Sequence, residues 1–147
     1  MNPFIAPSIA LDTPAGWIDR STYIVMGPAD GGFRPSVVVT VEQGVMDPYL
    51  KRHVDLQLDA MREKMAAFSL LQRAEITSEH FDQGVLLDYE WHSPEVGTLL
   101  HQHQLHALKG QSLYSVTATV PAARWSEQEP TLRAVVASFR PQTWTSG

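Results

Sequence analysis

The chain has 147 residues, 44% of them hydrophobic, and no cysteine. A chain of this length and composition forms one domain with an ordinary hydrophobic core, which excludes a disordered protein, a coiled-coil rod and a disulfide-stapled miniprotein. Eleven Lys and Arg residues against sixteen Asp and Glu residues give a net charge of −5, which is the wrong sign for a dedicated nucleic-acid-binding protein.

The beginning of the chain lacks the features of a targeting segment. It has no basic segment, and two prolines interrupt its first seven residues. No stretch of the sequence approaches the roughly 18 apolar residues that span a bilayer. We therefore expect a cytoplasmic protein that is not embedded in a membrane.

The first part of the chain is predicted to form three short strands. Residues 8–11 and 17–26 are β-type segments separated by a turn-rich stretch. Residues 36–43 contain four valines, which is the strongest β signal in the chain. Residues 29–32, with two glycines, are predicted to form a hairpin loop.

After these strands the spacing of the apolar residues changes, and the new spacing predicts a long amphipathic helix over residues 47–68. Its apolar positions are spaced by three or four residues, which places them on one stripe: Leu50, Val54, Leu58, Met61, Met65 and Phe68. Asp47 is the predicted N-cap, and Pro48 suits the first helical position.

Four more strands are predicted at residues 70–77, 84–91, 98–108 and 111–120. Only Lys109 and Gly110 separate the last two of these strands, and a connection this short predicts a tight hairpin. A second helix follows Pro121, with a face formed by Leu132, Val135, Val136 and Phe139. It starts either at a capping box of Ser126 and Glu129 or three residues later at Pro130.

This order of elements predicts an α+β fold. We expect one antiparallel sheet of six or seven strands, with one long packed helix and a C-terminal helix, in a single domain whose core spans residues 8–141. Two helices are too few to cover both faces of such a sheet. A partly open face is therefore the first place to look for a binding site.

Three histidines lie on the strand predicted at residues 98–108. His101 and His103 share one face and form a usable pair of metal ligands, whereas His106 points through the sheet to the other side. Glu90 is the nearest carboxylate, and it shares its face with Asp88. We favour the interpretation that these side chains form a polar row on a solvated or groove-lining face, because two histidines without further local ligands are a weak zinc signal. The alternative is a small-molecule or metal-dependent enzyme with His101 and His103 as ligands.

No catalytic motif is present. The sequence has no Gly-x-Ser-x-Gly elbow and no glycine-rich phosphate loop. The lack of cysteine excludes a thiolate zinc site and a cysteine nucleophile. The residues give no positive argument for an enzyme, and we expect neither catalytic residues nor a cofactor.

Glutamines on otherwise apolar elements offer a second kind of site. Gln57 lies on the shoulder of the helical stripe, and Gln102 and Gln104 share a strand face. An amide at the edge of an apolar surface both donates and accepts, so it can pair with a polar group of a bound hydrophobic segment. The simpler interpretation is that glutamine is a common exposed residue and a good helix former.

Several local strings, in this order of elements, resemble the DcrB-like family and, within it, the Eag chaperones, which are the effector-associated adaptors of bacterial type VI secretion systems. The resemblance covers residues 8–141. It rests on residues 11–21, on residues 68–73 after the long helix, on residues 100–104 and on the ending at 136–141. Related DcrB lipoproteins carry a signal peptide and a lipobox cysteine, and neither is seen here, which favours the cytoplasmic chaperones.

The resemblance implies a DcrB/PsbP-like fold, a homodimer and a chaperone rather than an enzyme. Such chaperones bind the N-terminal transmembrane helices of secreted effectors, often Rhs-type toxins, shield them in the cytoplasm and aid their loading onto the VgrG spike. The resemblance also implies a client groove. Its apolar wall is Ile24, Val39, Val41, Leu58, Met61 and Met65, and its polar contacts are Gln57 with Gln102 or Gln104.

The residues themselves allow two interpretations of this wall. Methionines beside a valine-rich strand form a surface that repacks around varied apolar partners. The same methionine stripe is also what an ordinary core contains. The resemblance assigns no role to His101, His103 and His106.

Overall fold

The computed structural model describes residues 12, 14–15, 22–29 and 31–141. The strand predicted at residues 8–11 and the first part of the one predicted at 17–26 lie outside them. The described chain contains six strands, two α-helices and one 3₁₀ turn: β1 Thr22–Met26, β2 Ser36–Glu42, α1 Leu50–Lys64, β3 Ser69–Ile76, β4 Gln83–Ser93, β5 Thr98–Lys109, β6 Ser112–Pro121, the 3₁₀ turn Ala122–Arg124 and α2 Trp125–Ala137.

The six strands form one sheet in the order β1-β2-β6-β5-β4-β3, and every neighbouring pair is antiparallel. This confirms the predicted α+β fold. The tight hairpin is also present, because Lys109 pairs with Ser112 across a two-residue turn in which Gly110 adopts a φ of +57° that favours glycine.

The two helices pack on opposite faces of the sheet. On the face that we call the α1 face, α1 buries Val54 and Leu58 in a cluster with Leu87. On the opposite α2 face, Leu132 and Val136 of α2 are buried with core residues of β2, β5 and β6. Within the described residues each helix covers only part of its face, so both faces are half-open there rather than one closed and one open.

Helix α1 begins at Leu50, two residues later than the predicted first helical position at Pro48. Asp47 is not its N-cap: the Asp47 Oδ1 atom accepts a hydrogen bond of 3.0 Å from the Tyr49 N–H and forms a turn before the helix. Gln83 of β4 binds the helix start, because its side chain donates to the Pro48 carbonyl and accepts from the Leu50 N–H at 3.0 Å. A distant side chain thus satisfies one of the unpaired donors at the helix N-terminus.

Helix α2 begins at Trp125, which is earlier than Pro130 and leaves Ser126 inside the helix. The predicted capping box of Ser126 and Glu129 is therefore wrong, and Pro130 lies within the helix. The tertiary reason is the Trp125 ring, which stacks on His101 of β5 and brings the first turn of α2 onto the sheet. Neither helix in the described part of the chain combines the length and the apolar character needed to cross a bilayer.

Candidate functional site: the open groove beside α1

The uncovered half of the α1 face lies next to α1 on strands β1, β2 and β6. We call it the open groove. Ile24 and Met26 are 61% and 57% exposed at its outer side. The register aligns Ile24 with Val38, Val38 with Thr117, and Thr117 with Gln104. The groove is thus apolar at Ile24, Met26 and Val38 and becomes polar at Thr117 and Gln104 toward its inner side.

Gln102 is held on the inner side of the groove by two hydrogen bonds. The Trp91 Nε1–H donates to Gln102 Oε1 at 3.0 Å, and Gln102 Nε2 donates to Thr119 Oγ1 at 2.8 Å. These contacts orient the amide, with its oxygen toward Trp91. One amide N–H of Gln102 and the hydroxyl proton of Thr119 are left for further hydrogen bonds.

Gln104 belongs to a second, directional chain of hydrogen bonds. Ser115 Oγ lies 3.2 Å from His106 Nδ1, His106 Nε2 lies 2.7 Å from Gln104 Oε1, and Gln104 Nε2 donates to Thr117 Oγ1 at 2.9 Å. Because an amide oxygen only accepts, His106 Nε2 carries the proton and Nδ1 accepts from Ser115. The chain ends at Thr117, whose hydroxyl proton is left to donate into the groove.

The neutral form of His106 fits its surroundings. Burial, with a smaller effect from the charge of Arg73, lowers the pKa of His106 from 6.5 to about 4. Water is scarce around this ring, so the charged form is disfavoured at neutral pH. The prediction that His106 faces away from His101 and His103 is confirmed, since His106 pairs with Val85 of the α1-face cluster.

Gln57 lies on the flank of α1 that faces the open groove. Lys51 and Asp55 pair with Glu75 and Arg73 of β3, so they mark the opposite flank. At about 100° per residue, Gln57 lies on the far side of the buried stripe from both. The structure therefore brings Gln57 to the same side of the molecule as the groove.

Not every residue of the expected client groove lies there. Val39 pairs with Val116, and Val41 pairs with Tyr114, so both lie on the α2 face. The physical reason is the period of two along β2, which places Val38 rather than Val39 beside Ile24. Leu58 and Met61 are buried under α1, and Met65 packs against the same cluster. Leu58 and Met61 are therefore core residues.

Candidate functional site: a charge cluster under α2

A second concentration of polar groups lies between β4, β5 and α2. Asp88 is only 4% exposed. Its Oδ1 atom lies 3.0 Å from His101 Nε2 and 3.2 Å from His103 Nδ1, and its Oδ2 atom lies 3.4 Å from Arg133 Nη1. Arg133 also donates to Glu129 at 2.8 Å.

His101 lies between two carboxylates. Its Nδ1 atom is 3.1 Å from Glu90 Oε2, while its Nε2 atom contacts Asp88. Each ring nitrogen of His101 therefore faces one carboxylate, and which nitrogen donates depends on the tautomer. The Trp125 ring stacks on the imidazole with centroids 3.8 Å apart.

These contacts control the charge of Asp88. Burial by itself raises the pKa of Asp88, but the hydrogen bonds from His101 and His103 and the charges of His103 and Arg133 outweigh it and hold the pKa well below its usual range. The carboxylate is therefore ionised and paired inside the protein. Burial alone raises the pKa of Tyr89 on the other face of the sheet.

The sequence placed His101 with His103 on one face and Asp88 with Glu90 on one face, and both pairings are confirmed; the strand register brings all four side chains to the α2 face. The interpretation of that face as solvated is wrong, because α2 covers it. The sequence analysis did not identify Trp125 and Arg133 as members of this cluster. The signal that could have identified them is their position on the helix face that adjoins Leu132 and Val136. In the described part of the chain, no group of three or more His, Asp or Glu side chains is arranged to hold a metal ion.

Comparison with known proteins

The fold and the groove define a class of small α+β protein with one antiparallel sheet, one helix on each face and a half-open surface. A family model described as DcrB matches residues 9–138. The chain belongs to the DcrB family. A search of curated protein sequences finds no match.

The solved structures that are similar to this chain include the following two. PA94 from Pseudomonas aeruginosa, a protein of unknown function suggested to be a regulator, has 25% sequence identity and a TM-score of 0.79, over 91% of this chain and 92% of PA94. LpqN from Mycobacterium tuberculosis, described as involved in cell envelope biogenesis, has 13% identity and a TM-score of 0.50, over 80% of this chain and 82% of LpqN. At that identity, LpqN is evidence for the fold alone.

Proposed function

We propose that this chain is a cytoplasmic chaperone and adaptor that binds the N-terminal apolar helices of a type VI secretion effector, of the Rhs type, and aids its loading onto the VgrG spike. It acts by binding and without turnover. The observation that carries the proposal is the open groove, in which exposed apolar side chains of β1 lie beside a row of oriented hydrogen-bond donors.

The chemistry of the groove suits an apolar helix. Ile24, Met26 and Val38 form an apolar surface on which the leucine and alanine side chains of a client helix can pack. Thr117 and Thr119 present hydroxyl protons that have no acceptor of their own within the two hydrogen-bond chains. Backbone carbonyl groups and Ser or Thr oxygens of a transmembrane helix accept such bonds, and those bonds matter where water is excluded.

The proposal includes a homodimer. One open groove touches only one side of a helix, and a transmembrane helix is apolar around its whole circumference. A second copy of the chain supplies the other wall. Sedimentation at micromolar concentration is expected to show a dimer in the presence of a client segment, and a strict monomer with the segment bound contradicts this part of the proposal.

The test of binding uses the full chain co-expressed with an N-terminal fragment of a Rhs-type effector that contains its apolar helices. Ile24→Asp places a charge on the groove, where an unpaired charge against an apolar helix is strongly unfavourable. Val25→Asp is the matched control, because Val25 is 39% exposed on the same strand but points to the α2 face. We expect loss of the fragment with Ile24→Asp and its retention with Val25→Asp.

Two further variants test the polar row. Thr117→Val removes the hydroxyl and keeps the shape, and Gln102→Ala removes an oriented amide. Each is expected to weaken fragment binding by about 0.5–1.5 kcal/mol. A thermal melt of every variant separates binding from stability. Full fragment recovery by a folded Ile24→Asp variant means that the groove is not the client site.

A further inference from the structure

A cleft on the α2 face takes no part in the proposed function. It has a volume of about 310 Å³ and lies between the C-terminal half of α2 and the end of β3. Ligand pockets typically begin at about 300 Å³, so the cleft has room for one small molecule. Its lining is mainly apolar and continues the α2-face core: Ile76, Phe81, Leu86, Leu105, Val136 and Phe139.

One nearly buried polar side chain opens onto this cleft. The His103 side chain is 3% exposed and lines the cleft. Its Nδ1 atom lies 3.2 Å from Asp88 Oδ1, to which a protonated Nδ1 donates, and 3.4 Å from Arg133 Nη1. Nε2 has no hydrogen-bond partner among the residues that the structure describes.

Nε2 of His103 is nevertheless not sealed in the core. Over the described ranges, no fully buried side-chain nitrogen or oxygen is left without a partner. Nε2 therefore reaches the space of the cleft. A ring nitrogen in an apolar wall is a strong orienting point for a ligand, because a hydrogen bond is worth most where water is scarce.

The surrounding charges favour a neutral ligand. Asp88, Glu90 and Glu129 are acidic, and Arg133, which also lines the cleft, pairs with Asp88 and Glu129. Asp88 and Glu129 already pair with Arg133, so the cluster has no spare cation for the carboxylate of a ligand. A hydroxyl group is suited to Nε2, because it donates to a neutral imidazole and accepts from a protonated one.

We propose that this cleft binds a small neutral molecule with an apolar body and one hydroxyl group, which hydrogen-bonds to His103 Nε2. The apolar body packs on Leu86 and Leu105 at the floor of the cleft, and α2 forms one wall. The site is separate from the open groove, because the cleft lies on the other face of the sheet.

The test uses the full chain and three matched probes: 4-ethylphenol, ethylbenzene and 4-ethylbenzoate. Binding is followed by NMR, including the ring nitrogen resonances of His103. We expect 4-ethylphenol to bind and to shift the Nε2 resonance. Ethylbenzene is expected to bind about tenfold more weakly, which corresponds to about 1.4 kcal/mol for the lost hydrogen bond. The benzoate is expected not to bind.

Two variants of α2 locate the site without disturbing the charge cluster. Ala137 lines the cleft and is exposed, so Ala137→Trp fills the cleft entrance and should abolish 4-ethylphenol binding. Ala134→Trp is the control, because Ala134 is equally exposed on α2 but is not part of the lining. Three results overturn the proposal: no saturable binding of 4-ethylphenol, equal binding of ethylbenzene, or binding that Ala137→Trp leaves unchanged.

Discussion

The imidazole of His101 lies flat against the indole of Trp125, with ring centroids 3.8 Å apart and an angle of 11° between the planes. This stack joins the first residue of α2 to the middle of β5. The same imidazole contacts the carboxylates of Asp88 and Glu90. The charge cluster and the position of α2 therefore depend on each other.

Trp125→Ala is expected to destabilise the protein by about 2–4 kcal/mol, because it removes a large packed ring and admits water to the charge cluster. Trp125→Phe retains an aromatic face and should cost less. Urea unfolding of the three proteins measures the difference. Equal midpoints for Trp125→Ala and the parent chain contradict the role of the stack.

Asp88→Asn is expected to destabilise the protein by about 3–5 kcal/mol. The substitution keeps the shape of the side chain, but it leaves His101, His103 and Arg133 without their shared carboxylate. Glu90→Gln is the comparison, because Glu90 is more exposed and contacts only His101 of this set. Its cost should be clearly smaller in chemical denaturation.

Stability should fall in acid in two stages. The folded pKa of His106 is about 4, against an ordinary value of 6.5, so the unfolded chain binds more protons between these values. The contribution of His106 to the unfolding free energy is therefore complete above pH 6.5 and is lost as the pH falls toward 4, by about 3 kcal/mol in total. The folded pKa of Asp88 is also lowered, so its contribution is present above its ordinary pKa and is lost below it.

The first stage can be assigned by substitution. His106→Gln keeps a polar side chain that does not titrate, so it should flatten the unfolding free energy between pH 6.5 and 4 and leave the steeper loss at lower pH. Measurements of the unfolding free energy across that pH range check this. An unchanged slope in the His106→Gln protein means that another group is responsible.

Gly84→Ala is expected to destabilise the fold by about 1–3 kcal/mol, which is typical of overpacking. A Cβ atom at Gly84 would lie 2.6 Å from Phe81 Cε2 and 2.7 Å from Ile76 Cγ1. The matched control is Gly27→Ala, whose nearest neighbour lies at 3.4 Å. Thermal melts of both variants should show a large shift for the first and a small one for the second.

Local patterns predicted the elements well. The spacing of Leu50, Val54, Leu58 and Met61 identifies the buried side of α1, and these four residues are buried in the structure. The strands follow from valine-rich and alternating segments, and the short hairpin follows from Lys109 and Gly110. Helix starts were less predictable, because Gln83 and the Trp125 stack act from outside the local sequence.

The sequence by itself determined the fold class, the antiparallel sheet and which residues of one strand share a side, because these depend on the periods of 3.6 and 2 along the backbone. It did not determine which side is covered. The sequence pairs His101 with His103 on one face, but only the strand register brings Asp88 beside them, and only the packing of α2 makes that face buried.

The same limit applies to the open groove. The alternation along β2 separates Val38 from Val39, but it does not tell which of them faces the same way as Ile24. That choice depends on the register between β1 and β2 and on the face that α1 occupies. Both are set by contacts between residues far apart in the chain, which a local pattern does not encode.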